Sequence, residues 1–170
     1  MLGLGKLPVY QDEQFRYLTE KLNGYITGAY IYNKMGLTEQ VATTITIATP
    51  NPVRRFRFKN LDIECVKAYC MVYPDESLVP YLRLLDAIKD MKRIPGTTGQ
   101  DIYNRVKSQY FNGYSLPELE KIVSLAKSYP PRVRKVVADI LGDIRQTVLQ
   151  TEMAKTILPT TRFNLDYKTA

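Results

Sequence analysis

The sequence contains no histidine, and that absence removes more function classes than any motif in it adds. The commonest general base and the usual partner of a serine or cysteine nucleophile are missing, which argues against hydrolytic catalysis without excluding carboxylate or lysine chemistry. Cysteine is scarce as well. Cys65 and Cys70, five positions apart, cannot assemble a zinc site or a disulfide framework and read as ordinary thiols in a reducing compartment. No run approaches the roughly 20 apolar residues that span a bilayer, and the lead MLGLGKLP lacks the long apolar core of a signal peptide, so a cytoplasmic protein with no membrane partner is expected. No internal repeat or low-complexity segment interrupts the chain.

What is present is enough for a real core: 170 residues, 45% of them hydrophobic. The chain reads as one domain, 1–170, with an α/β part over 1–73, a helical part over 74–158 and a tail over 159–170. Its 24 basic and 17 acidic residues give +7, a balance that favours acidic partners. The excess lies at the two ends: residues 1–70 carry 9 basic and 6 acidic groups, 71–127 carry 8 and 7, and 128–170 carry 7 and 4. A nucleic-acid face would use those ends.

Phe15, Leu18 and Leu22 predict an amphipathic helix over 12–23, closed by Asn23-Gly24. A second short helix is expected over 28–35, with Thr27 as its N-cap and Gly36 as its stop; its neighbours Tyr25, Tyr30 and Tyr32 read as packing residues before base-stacking ones. Alternation of Ile45 and Ile47 with Thr44 and Thr46 predicts a strand over 43–49, ended by the Pro50-Asn51-Pro52 turn.

The hairpin over 53–67 can be registered from sequence. With Lys59-Asn60 as a two-residue turn, Phe58 faces Leu61 and Phe56 faces Ile63 on one side, while Arg57 faces Asp62 and Arg55 faces Glu64 on the other. The segment VRRFRFK alone resembles a nucleic-acid strand, four cations with two aromatics in seven residues. Pairing consumes Arg55 and Arg57, and Arg54 and Lys59 fall outside those pairs, so a satisfied hairpin surface outweighs a phosphate-binding strand. Asp62 and Glu64 also form a D-x-E pair of the kind that holds Mg²⁺, but no Gly-Ser phosphate turn precedes it and the opposite arginines already account for it.

Past Tyr73 the period becomes helical. Leu78, Leu82, Leu85 and Ile88 stripe a helix over 78–92 that stops at Ile94-Pro95-Gly96. Thr98 with Asp101, and more clearly Ser115 with Glu118, form capping boxes for the next two helices. Pro130-Pro131 open another, cored by Val133, Val136, Val137, Ile140 and Leu141, with Gly142 either interrupting it or lying inside it before a continuation over 144–155. Arg132, Arg134 and Lys135 crowd the start of that helix, where cations oppose the helix dipole, and so are candidates for a partner-binding patch, with a solvated face or a bond to an acidic neighbour as the alternative of at least equal weight. Phe163, Leu165 and Tyr167 alternate as in a terminal strand over 162–167, with a frayed tail as the alternative.

The segment GYITGAYIYNKMGLTEQVATTITIAT, then RRFRFKNLDIECVKAY, PYLRLLDAIKDMKRIPG and YPPRVRKVV, resembles the C-terminal part of the AbiEi family, the antitoxins of type IV toxin-antitoxin systems of the abortive-infection type. The signature is a T/S-G-x-x-x-x-N-x-x-GLT-x-Q core, a basic hairpin and a leucine helix followed by I-P. Members of that family usually begin with a winged helix-turn-helix that binds operator DNA. The resemblance implies that this chain starts after it, with LGLGKLP as the linker, so DNA would be met mainly through that missing N-terminal domain and no operator-binding residue is carried over. It further implies an antitoxin role in phage defence against a cognate nucleotidyltransferase-like toxin, with transcriptional autoregulation when a DNA-binding module is attached.

The expectation is therefore an α+β domain: a small mixed or antiparallel sheet with a hairpin in the N-terminal half and a helical array in the C-terminal half. It acts as a non-catalytic antitoxin, with no cofactor, metal ligand or catalytic residue assigned. Its contact candidates are Arg54, Arg55, Arg57 and Lys59 on the hairpin, and Arg132, Arg134 and Lys135 on the helix. The alternatives are a nucleic-acid-binding regulator and, behind it, a degenerate nucleotidyltransferase or nuclease using Asp62 and Glu64.

Overall fold

The computed structural model describes residues 9–51, 54–70, 75–164 and 167. Phe15, Leu18 and Leu22 form the buried stripe of α1 (Val9–Leu22), which starts three residues earlier than its sequence pattern and ends where Asn23 turns left-handed at φ 49°. Gly24 follows because the chain passes hard against its neighbour strand: a Cβ there would stand 2.2 Å from the Ala48 carbonyl oxygen. β1 (Tyr25–Thr27) comes next, a strand of three residues, all buried, too short to show an alternation.

α2 (Ala29–Lys34) corrects one expectation. Its N-cap is Gly28, at φ 77°, and not Thr27. A side chain on Gly28 would collide with Thr46, and the Thr27 hydroxyl is already committed to a carboxylate far along the chain. Gly36, at φ 74°, ends the helix as expected, with the Leu37 amide reaching back to the Tyr32 carbonyl.

The remaining strands are β2 (Thr44–Thr49), β3 (Arg55–Phe58) and β4 (Leu61–Lys67). The sheet is mixed, in the order β1-β2-β4-β3: β1 and β2 are antiparallel, β2 and β4 parallel, β4 and β3 antiparallel. The hairpin register is the one read from sequence, Arg55 opposite Glu64, Phe56 opposite Ile63, Arg57 opposite Asp62 and Phe58 opposite Leu61, with Lys59 left-handed in the turn at φ 53°. Pro52 and Val53, in the turn and at the start of the expected hairpin, lie outside the described residues.

The second half contains α3 (Val79–Asp90), α4 (Gly99–Gln109), a 3-10 turn at Phe111–Gly113, α5 (Leu116–Ala126), α6 (Pro131–Asp143) and α7 (Thr147–Ala154). The architecture is the α+β arrangement expected. Ser115 and Glu118 cap α5 reciprocally, whereas Thr98 only accepts from the Asp101 amide. Gly142 lies within α6, and the break before α7 comes at Arg145, left-handed at φ 63°.

Two cores result. The smaller joins α1 to one face of the sheet through Phe15, Leu18, Leu22, Ile26, Ile45, Ile47, Ile63 and Cys65. The larger surrounds α3, buried from Leu84 through Ile88, and includes Tyr25, Tyr32, Leu37 and Ala48 from the sheet half, so both halves share it. Tyr25 and Tyr32 are buried in this packing, and the Tyr30 ring meets Phe15 edge-on at 5.7 Å. Burial pushes the Cys65 and Cys70 thiols up, keeping both protonated and inert near neutrality. The expected terminal strand does not form among the described tail residues. Leu165 lies outside them, and Tyr167 turns inward, stacking on Tyr103 at 5.1 Å and donating to Asp139 at 2.8 Å. A buried phenol with a carboxylate partner outcompetes an exposed edge for that residue.

At the centre of the larger core lies Asp86, on α3 and 2% exposed. Its Oδ2 accepts from the Tyr25 hydroxyl at 2.7 Å and the Thr27 hydroxyl at 2.8 Å, and its Oδ1 from the Tyr129 hydroxyl at 2.7 Å. One carboxylate thus joins β1, α3 and the lead into α6. Burial pushes the phenols of Tyr25 and Tyr129 far above their ordinary range, so both stay protonated donors.

Asp86→Ala would leave three buried hydroxyls without their acceptor and is expected to cost about 3 kcal/mol or more, with Tyr25→Phe costing about 2 kcal/mol, both measured by urea denaturation. Burial also raises the Asp86 carboxyl above its ordinary value. The linked stability is then full below the unfolded-state pKa, about 3.9, and is lost as pH rises through the folded value. Asp86→Asn should abolish that acid-range decline while wild type keeps it.

Candidate functional site

Period-two alternation gives the sheet two unlike faces. The face under α1 carries Ile26, Ile45, Ile47, Ile63 and Cys65. The other is read from the register as rows: Tyr25, Ala48 and Val66; then Thr27, Thr46, Glu64 and Arg55; then Thr44, Asp62 and Arg57. Among the described residues this second face is covered on its β1 side, where Tyr25 and Thr27 reach Asp86 of α3, and at its Ala48–Val66 row, which packs into the larger core. Its β3–β4 side is open and forms a shallow depression of about 430 Å³, lined by Thr44, Arg55, Arg57, Asp62 and Glu64.

Two ion pairs ladder across that open half. Arg55 Nη2 stands 2.9 Å from Glu64 Oε1 and Arg57 Nε 4.0 Å from Asp62 Oδ1, with side chains 80% and 34%, and 70% and 63% exposed. At such exposure the pairs are screened and exchangeable, so the arginines hold their partners without being locked to them. The two candidates outside the ladder lie over hairpin rings: the Arg54 guanidinium 5.0 Å from the Phe56 centroid and the Lys59 ammonium 5.7 Å from that of Phe58. Five cations against two carboxylates between residues 54 and 67 leave the hairpin positive. Asp62 and Glu64 share this face, but among the described residues no three acidic or cysteine side chains come together as a metal cluster.

The helical candidates divide differently. Arg134 is a clamp: its Nε donates to the Tyr129 carbonyl at 3.1 Å and its Nη1 to the Thr156 carbonyl, tying the start of α6 to the end of α7. Lys135 pairs along its own helix with Asp139 at 3.1 Å. Arg132 is half-buried, and its Nη2 is enclosed with no hydrogen-bond acceptor among the described residues. The crowding of cations at this helix start, which suggested a partner patch, is accounted for at Arg134 and Lys135 by internal bonds.

The residues of the T-G-x-x-x-x-N-x-x-GLT-x-Q core have structural work as well. Asn33 donates to the Thr38 carbonyl at 3.2 Å, the Thr38 hydroxyl donates to the Pro95 carbonyl at 2.6 Å, and Tyr110 and Arg105 reach the Met35 and Gly36 carbonyls at 2.8 and 3.0 Å. The turn after α2 is thereby fastened to the end of α3 and to α4. Asp86 and Arg83, which hold β1 against α3, went unnoticed in the sequence. The available signal was a lone carboxylate four residues after Leu82, inside the leucine stripe.

No family model, curated protein or solved structure matches the chain. In chemical denaturation, Arg134→Met is expected to cost about 2 kcal/mol through its lost carbonyl bonds, whereas Arg55→Ala and Arg57→Ala should each stay within about 0.5 kcal/mol.

Proposed function

We propose that this chain is an antitoxin domain of the AbiEi type, one that counteracts a nucleotidyltransferase-like toxin by contact or regulation rather than by chemistry of its own, and that supports autoregulation when joined to a DNA-binding module. The observation that carries this reading is the meeting of the segments that bear the resemblance. Tyr25 and Thr27 of GYITG, Asp86 of LLDAIKD and Tyr129 of YPP share one hydrogen-bond cluster, and Thr38 of GLT bonds Pro95 of I-P-G. Motifs far apart in the chain serve one frame, as expected if their order marks a single domain type. The polar surface left over is the β3–β4 half of the sheet, which suits an acidic partner surface.

Exposure of Arg55 and Arg57 favours a second reading, a nucleic-acid face on the same hairpin. It requires log affinity to fall with log salt at about −0.9 per phosphate contacted, and a flat dependence removes it.

The test is growth rescue in cells expressing the nucleotidyltransferase-like toxin encoded beside this gene. Wild type should rescue growth. Replacing Arg54, Arg55, Arg57 and Lys59 together by Glu should abolish rescue while the melting temperature moves by no more than about 4 °C. Rescue by the folded quadruple variant would overturn the assignment to the hairpin, and failure of wild type to rescue would overturn the antitoxin reading.

A further inference from the structure

A cleft on the opposite side of β1 from the ion-pair ladder has no role in the reading above. It opens between α1, the Gly24–Ile26 segment and the first turn of α3, encloses about 480 Å³, and has Phe15, Ile26, Val79 and Pro80 among its walls with Arg16 and Arg83 beside them. That size lies within the range of small-molecule sites, and the composition, an apolar wall with a few polar groups, is theirs too.

Arg83 is the informative residue. Half-buried, it donates through Nε to the Ile26 carbonyl at 2.8 Å, which fixes the guanidinium against β1. That carbonyl is its one hydrogen-bond partner among the described residues, and no carboxylate lies within ion-pair distance there. Asp86, three residues on along the same helix, is already saturated by three hydroxyls. Burial lowers the Arg83 pKa from its ordinary value, outweighing the opposing pull of Tyr25 and Asp86, the mark of a cation short of solvent. Arg16, across the cleft on α1, likewise makes no ion pair among the described residues although Glu13 and Glu20 flank it in sequence. Exposed Glu20 and Glu76 also line the cleft. Those two carboxylates equal the two arginines in number, and their charge disfavours a dianion more than a monoanion.

We propose that this cleft binds a small monoanionic carboxylate with an apolar body, its carboxylate held by the guanidinium edge of Arg83 and supported by Arg16, its body against Phe15, Val79 and Pro80. A planar carboxylate matches a guanidinium in two parallel hydrogen bonds, and a fixed guanidinium loses little freedom in making them.

The test is titration of the ¹⁵N-labelled protein, followed by amide shifts, with three probes: phenylacetate, its neutral isostere phenylacetamide, and phenyl phosphate. Phenylacetate should shift the amides of residues 15–20, 24–26 and 76–83 saturably, with a Kd of about 1 mM or tighter, and phenylacetamide should bind at least about tenfold more weakly. Phenyl phosphate, a dianion, should also bind more weakly than phenylacetate. Arg83→Met should weaken phenylacetate at least about tenfold; since Arg83 also holds the Ile26 carbonyl, the exposed Arg16→Met serves as the second variant and should weaken it about threefold. The assignment is overturned if phenylacetate gives no saturable shifts, if the shifts lie elsewhere, if phenylacetamide binds equally well, or if affinity is unchanged in Arg16→Met. Tighter binding of phenyl phosphate would overturn the choice of a carboxylate. None of these outcomes depends on toxin neutralisation.

Discussion

The fold depends on a carboxyl group kept where water cannot reach it. Among the described residues no cation pairs with Asp86 within ion-pair distance, and its oxygens accept from three hydroxyls, two from β1 and one from the lead into α6. A buried carboxylate is costly unless its lone pairs are filled, so the geometry of all three donors is enforced together. That is why α3 can be buried along most of its middle and still hold a fixed rotation against the sheet: apolar packing alone is tolerant of small slips, whereas three bonds to two oxygens are not. The same device recurs at lower burial. Tyr32 donates to Asp90, Tyr103 to Asp143 and Tyr167 to Asp139. Both pairs of acceptors, 86 with 90 and 139 with 143, are four residues apart on one helix, so each helix presents two anchors on one side. With 13 tyrosines and neither tryptophan nor histidine, the chain uses the phenol as its standard means of placing an apolar ring and a polar tie in one side chain.

The parts legible in sequence are those whose information is local. The hairpin is the clearest case: cations, aromatics and carboxylates alternate around a two-residue turn, and only one register satisfies both faces, the one observed. The Ser115 box and the Gly36 stop are equally local. What was not legible depends on partners far away. β1 is three residues long and has no period to detect; its existence rests on pairing with β2 and on Asp86, some 60 positions later. Thr27 has the chemistry of an N-cap, but its hydroxyl is claimed by that same carboxylate, and glycine at φ 77° makes the turn instead. Tyr167 alternates with Phe163 as in a strand, yet the phenol finds Asp139.

The candidate site divides along the same line. Arg55 and Arg57 were identified together with their cross-strand partners because the register is local. Arg134 looked like a surface cation, and its two carbonyl acceptors, at the end of the preceding loop and beyond α7, carry no sequence signature. A backbone carbonyl accepts from any donor that arrives, so no residue type near Tyr129 or Thr156 announces the clamp. Arg83 escaped notice for a related reason: a lone cation in a leucine stripe reads as a solvated position until the Ile26 carbonyl beside it is known.

The two kinds of charge pairing assign different work to similar residues. Asp86 is bound so completely that a partner could reach it only by unfolding the core, which suits it to hold the frame and bars it from recognition. The Arg55–Glu64 and Arg57–Asp62 pairs are open to solvent and worth at most about 1 kcal/mol each to the free protein. They still perform a task there, since charges on an edge hairpin discourage pairing with a second sheet. Because so little is lost when they part, an incoming carboxylate can take Arg55 or Arg57 in exchange for Glu64 or Asp62, and the released acid can meet a partner's cation. Such a surface selects partners by pattern of charge rather than by depth of pocket, and the rigidity supplied by Asp86 is what keeps that pattern in register on the sheet.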